Sequence, residues 1–143
     1  MKYLLDTCVV SELVRPRPVE AVVAWINDQQ EEHLYLSVLT LGELRKGIES
    51  LSDHRKRIRL ENWLDRDLKL RFAGRWLAVD DETAERWGAI SARTAGRGTT
   101  IPVIDGLLAA TALIHGMTLV TRNSDHVRET GVVFLDPWAI AGS

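Results

Sequence analysis

The chain is poor in several things that would have fixed its class at once. It has a single cysteine, Cys8, which leaves no internal disulfide to form. The N-terminus lacks the charged stretch, apolar run and cleavage site of a secretory signal. Together these point to a reducing, cytoplasmic setting. Long apolar runs are missing as well: the longest near-apolar stretch, Leu107 to Ile114, is less than half of the roughly 20 residues that cross a bilayer. A membrane-spanning protein is therefore not expected. Histidine is scarce, and His33, His54, His115 and His126 are scattered without ligand spacing, so no zinc site is readable. There is no excess of positive charge, the net charge being −2, and hence no global basic field for nucleic acid. No internal repeat is visible. The polar bias of disordered chains is absent too, with 45% hydrophobic and 27% charged residues in 143. A chain of this length buries most of its apolar surface around one core, so a single domain over residues 1–143 is expected.

The charge that is present is unevenly spread. From His54 to Arg75 the chain carries Arg55, Lys56, Arg57, Arg59, Arg66, Lys69, Arg71 and Arg75 against Glu61, Asp65 and Asp67. A phosphate-tracking strip and a merely solvated helix face both account for this.

Five short apolar runs read as buried strands: Tyr3 to Leu5, Leu34 to Leu36, Trp76 to Val79, Met117 to Val120 and Val132 to Leu135. Helical spacing lies between them. It is carried by Val19, Val22, Val23 and Ile26, then Leu41, Leu44, Ile48 and Leu51, then Leu60, Trp63, Leu64, Leu68 and Phe72. Two further helices are expected near Glu82–Ala95 and Val103–His115, the second stopped by Gly116. Alternating strands and helices imply crossover connections. The expected fold is thus a three-layer α/β/α sandwich on a mainly parallel five-stranded sheet. Ligands in such folds bind beyond the carboxyl ends of the strands.

Acids gather at those ends. Asp6 directly follows the first strand, where its side chain either faces the crevice or caps the next helix. Glu43 sits in Thr40-Leu41-Gly42-Glu43, which spells a capping box but also lies on a helix leaving a strand expected beside Asp6. Asp105 is the most telling by placement. Counting on from it by helical steps reaches Leu108, Ala109 and Ala112, so it heads a core face where a solvated acid has no place. The helix dipole is its alternative explanation. The run Thr121-Arg122-Asn123-Ser124-Asp125 ends the fourth strand and leaves open whether Asn123 or Asp125 turns inward. Asp80 and Asp81 read as helix capping.

Carboxylates sharing one crevice repel, and one takes up a proton unless a cation neutralises the group. An all-oxygen donor set selects magnesium or manganese. Phosphodiester hydrolysis is the natural use of such a site.

These segments resemble the PIN-domain superfamily, and within it the VapC or FitB type of toxin ribonuclease. The resemblance rests on Leu4-Leu5-Asp6-Thr7, on Ser37 to Gly47, on Pro102 to Asp105 leading into Ala109-Ala110-Thr111-Ala112, on Val120 to Asn123 and on the ending Val133 to Trp138. It implies that Asp6, Glu43 and Asp105 form the acidic site, with Asp6 and Asp105 as the usual magnesium ligands and Glu43 binding a second ion or orienting water. It also implies an RNA substrate, an antitoxin that silences the enzyme, and a homodimer. Two departures stand out: Asn123 occupies the family's fourth acidic position, with Asp125 as a possible stand-in, and Cys8 replaces the usual asparagine, which puts the support of Asp6 in doubt. A PIN fold that binds RNA or protein without catalysis is the main alternative. A phosphoacceptor receiver domain fits less well, since Asp6 stands alone after the first strand and no lysine follows Lys69.

Overall fold

The computed structural model describes residues 1–140. Its centre is β1 (Tyr3–Leu5), flanked by β2 (Leu34–Ser37) on one side and β4 (Thr118–Val120) on the other, with β3 (Trp76–Leu77) and β5 (Phe134–Leu135) outermost. The strand order is β3-β2-β1-β4-β5 and every pairing is parallel, Tyr3 lying opposite both Leu34 and Thr118. Successive side chains on a strand face opposite ways. Leu5 therefore enters one core with Val9, Val22, Leu36, Ile48 and Phe72, while Leu4 enters a second with Leu108, Ala109, Leu119 and Val127. An apolar core on each face of one sheet is the three-layer sandwich expected from the sequence.

The helices follow the periodicities closely. They are α1 (Thr7–Glu12), α2 (Glu20–Asp28), α3 (Val38–Glu49), α4 (His54–Asn62), α5 (Lys69–Arg71), α6 (Asp81–Gly96), α7 (Val103–His115), α8 (Ser124–Val127) and α9 (Pro137–Ile140). The left-handed Gly116 ends α7 (φ 65°), a conformation that glycine adopts without steric cost.

Three expectations change in detail. The outer strands are shorter than the apolar runs that announce them, because each is paired along one side only. The helix expected from Leu60 to Phe72 starts earlier, at His54, where the Asp53 carboxylate accepts the Lys56 N–H. It then passes through a π-helical stretch, Trp63–Leu68, before α5. The Thr40–Glu43 capping box does not form: β2 runs straight into α3, Ser37 is the cap and accepts the Leu39 N–H at 3.0 Å, and Thr40 and Glu43 lie inside the helix. The short α1 lacks enough turns to show a helical period and is marked in the sequence only by Asp6.

Along the chain, β1, β2 and β3 step outward in one direction, after which β4 returns to the other side of β1. The order reverses at the β1–β4 boundary, and a crevice opens there at the carboxyl ends. Asp6 and Thr121 are the residues that follow those two strands.

Candidate active site

Asp6 is both things the sequence offered. It is the N-cap of α1, its Oδ1 accepting the Thr7 N–H at 2.7 Å, and it is buried at the crevice, with 4% of its surface exposed. Its other oxygen, Oδ2, accepts from the Thr121 hydroxyl at 2.7 Å and, at 3.6 Å, from the Cys8 thiol. Thr121 is fully buried and its oxygen also receives the Asn123 N–H at 2.9 Å. The residue just after β4 thereby bridges Asp6 to the loop that follows. The Cys8 thiol thus faces Asp6, but the short bond comes from Thr121. Burial, and then the Asp6 charge, push the Cys8 thiol up to about 12, so it stays protonated and able to donate.

Glu43 projects from the second turn of α3. Its Oε1 lies 2.5 Å from the Thr7 hydroxyl, which also lies 3.0 Å from the Thr40 hydroxyl. An ionised carboxylate only accepts. The Thr7 proton therefore goes to Glu43, and Thr40 is left to donate to Thr7. Thr7 and Asp6 are neighbours, so one backbone step ties both acids together.

Asp105 stands in the first turn of α7, its side chain 14% exposed, with Oδ2 2.7 Å from His126 Nδ1 on α8. Its neighbour Gly106 lies directly under the Trp87 indole. A Cβ there would lie 3.0 Å from Trp87 Cδ1, a tight contact, so an alanine at this point would press on the Trp87 indole where α6 and α7 approach.

The three acids act on one another. Burial raises the Asp6 carboxyl above its ordinary range; the bonds from Thr121 and Thr7 pull it back, while the charges of Asp105 and Glu43 push it up again. Oε1 of Glu43 is bonded to Thr7 and Oδ2 of Asp105 to His126. Among the described residues no three His, Cys, Asp or Glu side chains are grouped closely enough to grip one ion together. The donors are nonetheless all oxygen, and the repulsion registered at Asp6 is what a hard cation relieves. In that chemical sense the residues fit magnesium or manganese.

The two candidates after β4 lie in different surroundings. Asn123 begins α8 with a partly exposed side chain, beside Thr121. Asp125 is 96% exposed and lies 3.9 Å from Arg128, away from the other acids. Thr121, Thr7, Thr40 and His126 were not singled out as site residues. For Thr121 and Thr7 the available signal was adjacency to a strand end; for His126 there was none, since its partner lies 21 positions away.

Beside Glu43 and Thr7 opens a cleft of about 390 Å³ that reaches Trp63 and includes Arg15, Lys56 and Arg59. The basic segment thus divides. Arg57 pairs with Glu49 and Glu61, Lys69 with Asp65, and Arg71 and Arg75 with Glu31, whereas Lys56 and Arg59 face the cleft.

Comparison with known proteins agrees with this fold. The PIN domain family matches residues 3–131. The chain is 38% identical over 135 residues to Toxin FitB of Neisseria gonorrhoeae, covering 94% of this chain and 97% of that protein. It is 36% identical to VapC ribonuclease Y4jK of Sinorhizobium fredii, covering 94% and 96%. Among solved structures, FitAcB from Neisseria gonorrhoeae superposes with a TM-score of 0.92 at 38% identity, over 95% of this chain and 98% of the other. With its acids at the carboxyl edge of a parallel sheet and this likeness over nearly its full length, the chain belongs to the PIN domain family.

Proposed function

We propose that this protein is a magnesium- or manganese-dependent endoribonuclease, the toxin of a toxin–antitoxin pair, working in the cytoplasm. The observation that carries the reading is Asp6, buried at the carboxyl edge of the sheet and held there by Thr121 and Thr7, with Thr7 also bonded to Glu43. The likeness to a protein named as a VapC ribonuclease and to one named as a toxin supports the activity and the antitoxin partner. The homodimer rests on the family resemblance.

In this reading Asp6 and Asp105 hold the ion, and Glu43 binds a second ion or orients the attacking water. An ion held there would supply Lewis acidity, easing deprotonation of the attacking water and offsetting negative charge that develops at the phosphate. The chain's own residues do the rest. Thr121 and the Thr7 amide fix both oxygens of Asp6, and the Thr7 hydroxyl fixes Glu43, so the acids are ordered before substrate arrives. Asn123 contributes a neutral carboxamide where relatives carry an acid, leaving the site with less negative charge to set against RNA phosphate. Lys56 and Arg59 supply charge for phosphates along the cleft next to Glu43.

The test is cleavage of single-stranded RNA by purified protein freed of any inhibitor, with magnesium or manganese present. Wild type is expected to cut, with Asp105→Asn slower by about a thousandfold, the rate equivalent of the several kcal/mol a catalytic cation supplies. Expression of wild type is expected to slow growth, and Asp6→Ala to relieve it. Equal RNA cleavage by wild type and Asp105→Asn defeats the proposal.

A further inference from the structure

We propose that His126 is a positioning residue of the acidic site, holding the Asp105 carboxylate in place through a hydrogen bond from Nδ1–H. The inference rests on the reading of Asp105 as a metal-binding acid. The two groups lie on different helices, 2.7 Å apart, His126 on α8 and Asp105 on α7. A carboxylate that carries no proton cannot donate, so the bond exists only if Nδ1 carries the hydrogen. Asp105 thereby selects the protonated nitrogen of the ring, and the ring in turn fixes one carboxylate oxygen.

Such a restraint matters here because Asp105 and Asp6 repel each other. A carboxylate pressed by a like charge relaxes by turning toward water. A donor on Oδ2 removes that freedom, so part of the ordering that an arriving ion would otherwise impose is already in place. The donor is itself anchored. Val127, the next residue, is buried in the second core, and the His126 N–H donates to the Asn123 carbonyl at 3.0 Å. The 51% exposed imidazole is thus carried by a backbone that has little room to move. The arrangement also links two strand ends: Thr121 after β4 holds Asp6, and His126, five residues later, holds Asp105. One short segment steadies both acids.

The experiment compares wild type, His126→Phe and His126→Asn as purified metal-free proteins, titrated with manganese in a calorimeter with no RNA present. Phenylalanine keeps the ring's bulk and donates nothing, whereas the asparagine amide can donate from near the position of Nδ1. His126→Phe is expected to weaken manganese binding about tenfold or more and His126→Asn by no more than about threefold, the scale on which groups orienting metal ligands act. Matching melting temperatures show that all three fold alike. Ring-nitrogen NMR of the metal-free wild type is expected to find the proton on Nδ1. Equal manganese affinity in wild type and His126→Phe overturns the inference alone, as does an Nδ1 without a proton at neutral pH. Wild-type protein that takes up no manganese overturns the metal reading, and this inference falls with it.

Discussion

Acids in two regions of this molecule meet opposite fates. Around the basic segment acids are matched with bases: Glu31 takes Arg71 and Arg75, Asp65 takes Arg45 and Lys69, and Glu49 and Glu61 take Arg57. Hydrogen bonds from Arg71 hold the Glu31 carboxyl below its usual range, and those from Arg45 do the same for Asp65. At the carboxyl edge of the sheet the same residue types are placed against each other, and the buried Asp6 carboxyl rises instead of falling. The contrast teaches that acidity as such is not the signal of a site. What marks the crevice is acid gathered without the cation that the chain readily supplies elsewhere.

Supplying that cation from solution should erase the difference. At a hundred times its dissociation constant, manganese is expected to stabilise wild type by about 2.7 kcal/mol by mass action. Thermal melts with and without the ion check this, and Asp6→Asn should show almost none of the gain. An equal gain in both proteins would place the ion elsewhere.

A smaller change is expected where acid and base already match. Glu31→Ala removes the partner of Arg71 and Arg75, whose side chain is mostly buried and keeps its bonds to the Glu31 and Leu34 carbonyls. Because the Glu31 side chain is 45% exposed, solvent screening should limit the loss to about 1 kcal/mol, read from urea denaturation. Glu31 with its lowered carboxyl stabilises the fold above its unfolded-state range, and that contribution disappears as pH falls through the folded one.

Asp6 works in the reverse sense, and here the effect should be the slightest of the three. Its folded carboxyl lies above the unfolded value, so between the two the folded state binds more protons and stability falls as pH rises. In metal-free protein, Asp6→Asn should remove that penalty while keeping a side chain that can cap α1. Its melting temperature is expected to exceed that of wild type at pH 7, the gap closing as pH is lowered. A gap that widens toward acid would contradict the raised carboxyl.

Much of this was legible in the chain itself. Tyr3 to Leu5 read as a doubly buried strand because no polar residue interrupts it, and Asp105 stood out because the positions a helical step away are Leu108, Ala109 and Ala112, all buried except for the partly covered acid. Glu43 was ambiguous for a definite reason. Its motif fits a cap, and only the direct passage of β2 into α3 at Ser37 removes that role. Cys8 read as a weakness in the support of Asp6; the thiol is there at 3.6 Å, but the 2.7 Å bond from Thr121 carries the support. The basic segment read as a strip or, more readily, a solvated face; most of its ion pairs lie on the surface while Lys56 and Arg59 face the cleft, since the pairs depend on which acids the fold brings across from α3 and the turn before β2.

The sequence by itself determined the layers, the helix and strand order and the acids at strand ends, because hydrophobic period and local caps are properties of adjacent residues. Only the tertiary structure decided which donor holds each acid: Thr121 for Asp6, Thr7 for Glu43 and His126 for Asp105. Two of these pairings span 36 and 115 positions and the third joins separate helices, so they arise from the packing of neighbouring parallel strands, β1 against β2 and against β4, and of the helices beside them, where distant chain segments end side by side.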